Sequence, residues 1–197
     1  VLRDHAPADV QQAWLPRLAD GTARIIPALQ ERGARYRLNV VHTTAQQSAD
    51  GHWELSGAKC LVPVGGPDGV SEAYVVPARL HGAPDTTEGI ALFLVEAKAA
   101  GLKAQTHALQ DGSRAAEVSF ARSPATLLVQ EGYAALEHMV DVGIAALCAE
   151  AVGAMERLEA PRETPGSWDR RRTVPITAAP CGKPGPLKYE QVMDMCF

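Results

Sequence analysis

Cysteine and histidine are the side chains of this sequence best suited to bind a metal or to act as nucleophiles, and the chain has 4 cysteines and 6 histidines. The cysteines form no C-x-x-C pair, and the histidines have no spacing that is typical of metal ligands. We therefore predict neither a metal site nor a disulfide framework, and we expect a protein of the reducing cytoplasm. The four cysteines are Cys60, Cys148, Cys181 and Cys196.

Two other segments have the composition of a phosphate-binding site. Gly65-Gly66 could cradle a phosphate, but the chain has no G-x-G-x-x-G motif and no helix is predicted to follow, so we favour a hairpin turn. Arg170-Arg171-Arg172 could hold a phosphate, but such charge runs are more often solvated surface clusters. Neither segment predicts a phosphate site by itself.

The bulk composition is that of a globular protein and argues against two classes of partner. Of 197 residues, 46% are hydrophobic and 21% are charged, and the net charge is -4. Because no basic excess is present, nucleic acid is not an expected partner. The longest uninterrupted apolar runs, 89–95 and 143–149, are much shorter than a membrane span, so we predict no span.

A short helix and a series of short strands should position any site in the first two thirds of the chain. The helix is predicted over residues 9–18, and turn-forming residues then separate several β-rich runs. Short strands with frequent turns favour an all-β sandwich or a small β-barrel. The predicted strands are 24–29, 40–47, 53–56, 59–64, 73–78, 90–95, 102–108, 117–120 and 126–129.

The pattern then changes to a helical period. Apolar residues recur at steps of three and four residues, and no proline interrupts residues 131–160, which predicts one long helix. We therefore divide the chain into an entry segment (1–21), a β-domain (22–130), the first helix of an incomplete helical domain (131–160) and an irregular tail (161–197). The apolar stripe of the helix is Leu136, Val140, Ile144, Leu147, Ala151, Met155 and Leu158.

The order of these motifs resembles that of the acyl-CoA dehydrogenase family over roughly residues 9–160. The sequence WLPRLADG at 14–21 is similar to the family's entry into its middle β-domain, and the hairpin at 44–59 ends in Leu-Ser-Gly-Ala-Lys where the family has Leu-Asn-Gly-x-Lys. GIALFLV at 89–95 and the turn at 127–133 are similar to the family's next strand and to the turn before its long helix. Segments 31–36, 110–112 and 148–155 look most like the small subunit of pimeloyl-CoA dehydrogenase-type enzymes.

The resemblance implies a flavoenzyme that performs α,β-dehydrogenation of an acyl-CoA thioester, with the hydride passing to FAD. It further implies reoxidation by electron-transfer flavoprotein and assembly into homo- or hetero-oligomers. The flavin-site wall would be the β-domain 22–130. Within it, the backbone groups of Leu29, Gln30, Leu61 and Val62 are predicted to reach the cofactor.

The sequence departs from the family pattern at that wall. The flavin loop, usually Thr-Glu-Pro-Gly-Ala-Gly-Ser-Asp, is QERGARYR at 30–37, and the strand that is usually Trp-Ile-Thr is Leu61-Val62-Pro63. Two hydroxyls and an indole are thus missing, and Pro63 has no N–H. These losses predict that this chain alone binds FAD weakly at best. They also favour an alternative, a non-catalytic partner subunit that keeps the fold without its flavin contacts.

No residue of the chain matches a catalytic position of the family. The base lies beyond this segment in most members and early in the long helix in a minority, where this sequence has Gly143. Glu137 and Glu150 lie on the helix but do not match that position. We therefore predict no catalytic residue and no activity for this chain alone.

Overall fold

The computed structural model of the chain describes residues 1–64 and 71–159, and over this part the chain forms an entry of two helices, seven strands and one long helix. The predicted turn at Gly65-Gly66 and everything predicted for 161–197 lie outside the described residues. The elements are α1 (Leu2–His5), α2 (Ala8–Ala19), β1 (Ile25–Pro27), β2 (Thr44–Gln47), β3 (Trp53–Pro63), β4 (Ala73–Arg79), β5 (Ile90–Glu96), β6 (Leu102–Ala108), β7 (Arg114–Val129) and α3 (Tyr133–Glu159).

The strands form a small closed β-barrel, as one of the two sequence-based alternatives predicted. Five strands make the ring in the order β4, β2, β3, β7, β5 and back to β4. Outside the ring, β1 pairs in parallel with β4, and β6 pairs antiparallel with β7. Closure leaves no free edge within the ring.

Two pairs of strands that the sequence predicted as separate are each one long, bulged strand. The runs 53–56 and 59–64 are both part of β3, and 117–120 and 126–129 are both part of β7. The β3–β7 register shifts between Leu55 and Ser56 and between Lys59 and Val62. At the first shift Arg122 has a φ of 52°, which is typical of a bulge. A bulge bends a strand without ending it, so the local turn-like residues did not terminate these strands.

The apolar residues form one cluster within the barrel and a second where the helices cover it. Phe93, Leu55 and Val118 belong to the inner cluster, where Trp53 meets the Phe93 ring edge-on at 5.4 Å between centroids, so Trp53 packs in the core. Leu92 and Leu136 belong to the outer cluster. Strands β4 and β5 contribute to both clusters and are therefore buried on both faces.

One seam of the barrel has little strand pairing and is reinforced by a side chain. Strands β2 and β4 share a single register pair, Thr44 with Arg79. The Arg79 guanidinium, 5% exposed, donates to the carbonyl oxygens of Val41 at 3.1 Å and Asn39 at 3.0 Å, beside the short β2 strand. It also bonds the loop after β4, at the carbonyls of residues 84, 86 and 88 and the Thr86 hydroxyl. Because each of its N–H groups has an acceptor, Arg79 can be buried without a carboxylate partner.

The long helix α3 begins within one compact unit of the chain, residues 1–139, and from Val140 onward it belongs to a second unit. In the first unit Ala135 and Leu136 of α3 are buried, and Gly132 lies so close to Leu92 that a Cβ would be 2.9 Å from the Leu92 side chain. In the second unit the described apolar side chains are largely exposed. Examples are Val142 at 57%, Leu147 at 65% and Met155 at 54%.

By length and composition alone, Tyr133–Arg157 is also apolar enough to cross a membrane, with a mean hydropathy of 1.4. The uninterrupted apolar runs of the sequence do not reveal this property, because charged residues such as Glu137, Asp141 and Glu150 divide the helix into short apolar pieces. Core helices of soluble proteins meet the same criterion. Because Asp141 and Glu150 would be costly at membrane depth, we interpret α3 as a helix that packs on protein.

The exposed stripe of α3 predicts self-association of the chain. Several exposed apolar side chains at about 25 cal/mol per Å² amount to some kcal/mol, which is comparable with the stability of a domain. A symmetric helix pair is the simplest closed solution. Light scattering over a range of concentrations should show a dimer that Leu147→Glu weakens, whereas Glu150→Gln, on the same helix, should not. A monomer with α3 intact at all concentrations would contradict this prediction.

Candidate functional site

A buried ion pair joins the loop after β1 to the middle of β3. The Lys59 Nζ donates to the Glu31 Oε1 at 2.6 Å, and the Lys59 and Glu31 side chains are 0% and 4% exposed. Lys59 is the largest fully buried side chain among the described residues. Buried charges require a partner and further hydrogen bonds, and both are present here.

The Glu31 carboxylate also binds the segment that leads into β2. The backbone N–H of His42 donates to it at 2.7 Å, the N–H of Thr43 at 3.1 Å and the Thr43 hydroxyl at 2.7 Å. Together with Lys59, four donors from two segments converge on one side chain. Glu31 thus fixes three stretches of chain relative to one another.

A glycine makes this convergence sterically possible. Gly57 has a φ of 148°, and a Cβ at this position would lie 2.7 Å from the Cα of Thr43. Any other residue would force β3 away from the segment that carries Thr43. Gly57 and Lys59 are the glycine and lysine of the Leu-Ser-Gly-Ala-Lys motif, so the motif has a structural reason in this fold.

The pKa values of the two charged groups are both lowered, but for opposite reasons. Burial raises the pKa of Glu31, but Lys59 and the donors at Thr43 and His42 outweigh it, so the pKa falls below its ordinary value of 4.5. Burial lowers the pKa of Lys59, and because the attraction of Glu31 offsets this effect only in part, the pKa falls to about 8. The Glu31 carboxylate therefore stabilises the fold above about pH 4.5, and this contribution is lost as the pH falls through its lowered pKa.

The residues predicted to contact a flavin lie on both sides of this ion pair. The Cys60 N–H donates to the carbonyl oxygen of Gln30 at 2.8 Å, which brings Leu29 and Gln30 beside Leu61 and Val62. Val62 is 1% exposed and packs within the barrel, and Leu29 packs against the outer cluster. Only backbone groups of these two residues remain available, as predicted, but their contact with a cofactor stays a prediction.

Leu61 alone presents a large apolar side chain to the outside of this wall. It is 49% exposed and has a φ of 51°, because it belongs to the bulge at which the β3–β7 register shifts.

A cleft of about 260 Å³ lies along the ion pair, between the loop after β1 and strands β3 and β7. It is lined by Glu31, Arg32, His42, Thr43, Gly57, Ala58, Lys59, Cys60 and Glu117.

The one thiol in this cleft is not activated. Cys60 is 8% exposed, and burial raises the pKa of its thiol, so the neutral form dominates at pH 7. No cluster of three or more possible metal ligands occurs among residues 1–64 and 71–159. The cleft is therefore suited to binding rather than to nucleophilic chemistry by its own residues.

The flavin-loop segment keeps a glycine-like backbone after losing its second glycine. Arg35 and Tyr36, which stand where the family motif has Gly-Ser, have φ values of 49° and 66°. Residues with side chains adopt this left-handed region at a cost of about 1–2 kcal/mol. Tyr36 is also 83% exposed, so the side chain does not gain from burial what the backbone loses.

Sequence reasoning named Glu31 and Lys59 in separate motifs but did not pair them, and it missed Arg79. The signal for the pair was available, because an acidic residue kept in an altered loop and a lysine inside an apolar strand are both unusual. Arg79 follows an apolar strand as a single charge. Such a residue is usually exposed at a strand end.

Removing the cation of the buried pair should destabilise the fold strongly. Lys59→Met leaves the Glu31 carboxylate buried without a counterion, which typically costs about 3–5 kcal/mol. The loss should shrink at acid pH, because the carboxyl group can then take up a proton. Urea unfolding between pH 5 and 8 would measure it, with Lys103→Met on the exposed strand β6 as the control. Equal losses for the two variants would contradict the assigned role of the pair.

The chain matches no protein-family model and no curated protein in the comparisons made. It is similar to several solved structures. A variant of a steroid acyl-CoA dehydrogenase is 30% identical with a TM-score of 0.62, over 76% of this chain and 37% of that chain. An FAD-dependent dehydrogenase is 25% identical with a TM-score of 0.68, over 79% and 43%.

A butyryl-CoA dehydrogenase from Megasphaera elsdenii shares the fold, with a TM-score of 0.71 at 21% identity, over 79% of this chain and 42% of that chain. The chain spans less than half the length of each of these three proteins. The barrel, the helix that follows it and the identities agree on one assignment. The structural neighbours are acyl-CoA dehydrogenases, and the described part of the chain has the fold of their middle β-domain followed by one long helix.

Proposed function

We propose that this chain forms one wall of the flavin site of an FAD-dependent acyl-CoA dehydrogenase. One observation carries the proposal: the Cys60–Gln30 bond places the two predicted flavin segments side by side, although they are distant in sequence. A family member with these segments apart could not form a continuous wall. The fold supports membership of a class of flavin-dependent dehydrogenases, and the specific reaction on an acyl-CoA thioester is part of the proposal.

The residues present fit a planar, largely apolar cofactor only in part. Leu61 offers an exposed apolar side chain where the family has an indole, and the backbone groups of Leu29, Gln30, Leu61 and Val62 can hydrogen-bond to a ring edge. The two hydroxyls of the family pattern are missing. When bound, FAD would accept the hydride that leaves the β-carbon of an acyl-CoA substrate. This chain's residues would orient the ring and exclude water from one face.

The remaining functions would come from outside this segment. No residue of the chain matches the base, so a glutamate of another segment or subunit would remove the α-proton. We propose acyl-CoA thioesters as substrate, electron-transfer flavoprotein as the electron acceptor and the cytoplasm as the location. An oligomer with further chain segments of the family's kind would complete the site.

This chain alone should lack dehydrogenase activity. At the position of the minority base it has Gly143, which carries no side chain, and neither Glu137 nor Glu150 matches a base position. An assay with acyl-CoA thioesters of several lengths and a dye acceptor should give no turnover above buffer. Turnover that Glu137→Gln or Glu150→Gln abolishes would show that the base lies within the chain.

The same proposal predicts weak but saturable FAD binding. One wall cannot clamp the whole cofactor, yet Leu61→Asp should remove what binding there is, because it puts a charge against the ring. Leu109→Asp is the matched control, since Leu109 is also an exposed leucine, at 37%, on the turn after β6. Quenching of flavin fluorescence measures both. Equal FAD affinity of the two variants would show that the flavin does not contact Leu61.

A second candidate function is a non-catalytic partner subunit that has lost its flavin. The arrangement of the loop favours it, because Arg35 and Tyr36 add bulk and positive charge where the family motif has glycine and serine. Under this alternative the wild-type chain purifies colourless and shows no saturable FAD binding. A yellow protein, or the binding described above, favours the first proposal.

A further inference from the structure

We infer that Glu31 and Lys59 are positioning residues for the flavin site, an inference that rests on the proposed function. Neither side chain is exposed, so neither offers itself to a cofactor directly. Each is adjacent in sequence to a residue of the predicted wall: Glu31 follows Gln30, and Lys59 precedes Cys60 and Leu61. Their effect on a ligand must therefore pass through the backbone.

The geometry shows how this effect is transmitted. The Glu31–Lys59 bond at 2.6 Å and the Cys60–Gln30 bond at 2.8 Å are neighbouring links between the same two segments. The side-chain link crosses between residues 28 apart in sequence, and no secondary structure joins the loop after β1 to β3 at this point. The ion pair therefore sets the distance at which Gln30 and Leu61 face a ligand.

Stability alone does not explain why this pair is ionic. Replacing a buried ion pair by apolar residues is often neutral or stabilising, because desolvation of the charges offsets their attraction. An apolar pair, however, has no directional bonds. The Glu31 carboxylate accepts four hydrogen bonds, from Lys59, His42 and both donors of Thr43. Together these bonds fix its position. The charged pair thus supplies directional bonds that an apolar pair of similar volume would lack.

The central test is a neutral pair of similar shape. The double variant Glu31→Gln with Lys59→Met removes both charges and leaves one side-chain oxygen where the carboxylate had two. The matched control is the more exposed ion pair between β3 and β7, Glu54 with Arg122 at 2.8 Å, replaced by Gln and Met. FAD affinity by fluorescence quenching, the Tm and hydrogen exchange at the Cys60 amide are measured on the full chain for each variant.

We expect the buried double variant to keep its Tm within a few degrees while losing about tenfold in FAD affinity, the scale of one charged hydrogen bond. The Cys60 amide should exchange about tenfold faster, because its bond to Gln30 is loosened. The exposed control should change neither quantity. Unchanged FAD affinity in the buried double variant, or an equal loss in the control, overturns the inference.

A milder variant covers the case in which the double variant does not fold. Thr43→Val keeps the shape of the side chain and removes one of the four hydrogen bonds to Glu31, so it should lower FAD affinity by about threefold. If Thr43→Val leaves the FAD affinity unchanged, the inference is overturned and the proposed function stays intact. If the wild-type chain shows no saturable FAD binding, the proposed function fails and the inference fails with it.

Discussion

The wall formed by the loop after β1 and strand β3 depends on one buried carboxylate, that of Glu31. Because this carboxylate is shielded from water, it must accept its hydrogen bonds from the protein. A carboxylate that is buried and unpaired is very costly, so the fold must bring Lys59, Thr43 and the backbone of His42 to it. Those partners come from two different segments. The need of one buried carboxylate for hydrogen-bond donors thus determines how the loop after β1, the segment before β2 and the middle of β3 are arranged.

A second constraint acts on the barrel behind this wall. Because β4 and β5 are covered on both faces, they read as continuous apolar strands and can support the site without having an exposed face of their own. The bulges concentrate instead in β3 and β7, the strands next to the cleft. The strands that are buried on both faces and the strands that shape the surface of the cleft are therefore different.

The local patterns predicted those elements whose cause is local. The runs at 73–78 and 90–95 are apolar throughout, and the helix at 131–160 has a clear period, so their positions were close to β4, β5 and α3. The choice between barrel and sandwich stayed open, because closure depends on the pairing of β2 with β4, which share one register pair. Strands β3 and β7 were each divided in two, since Gly57 in β3 and Ser123-Pro124 in β7 are residue types that are common in turns. The candidate contacts at Leu29, Gln30, Leu61 and Val62 came from the family resemblance, whereas the bonds that bring them together are tertiary and had no sequence pattern of their own.

The length of β7 has a consequence for how the chain must fold as it is synthesised. This one strand pairs with β3, with β5 and with β6, and it is the last strand of the barrel. Until residue 129 has left the ribosome, β3 and β5 each present an unpaired edge, and the apolar interior between them is open to water. Unpaired edges and exposed apolar surface are what chaperones bind and what aggregates share. The nascent barrel is therefore most vulnerable immediately before its final strand emerges, and the ring closes late, by a non-local step of the kind that folds slowly.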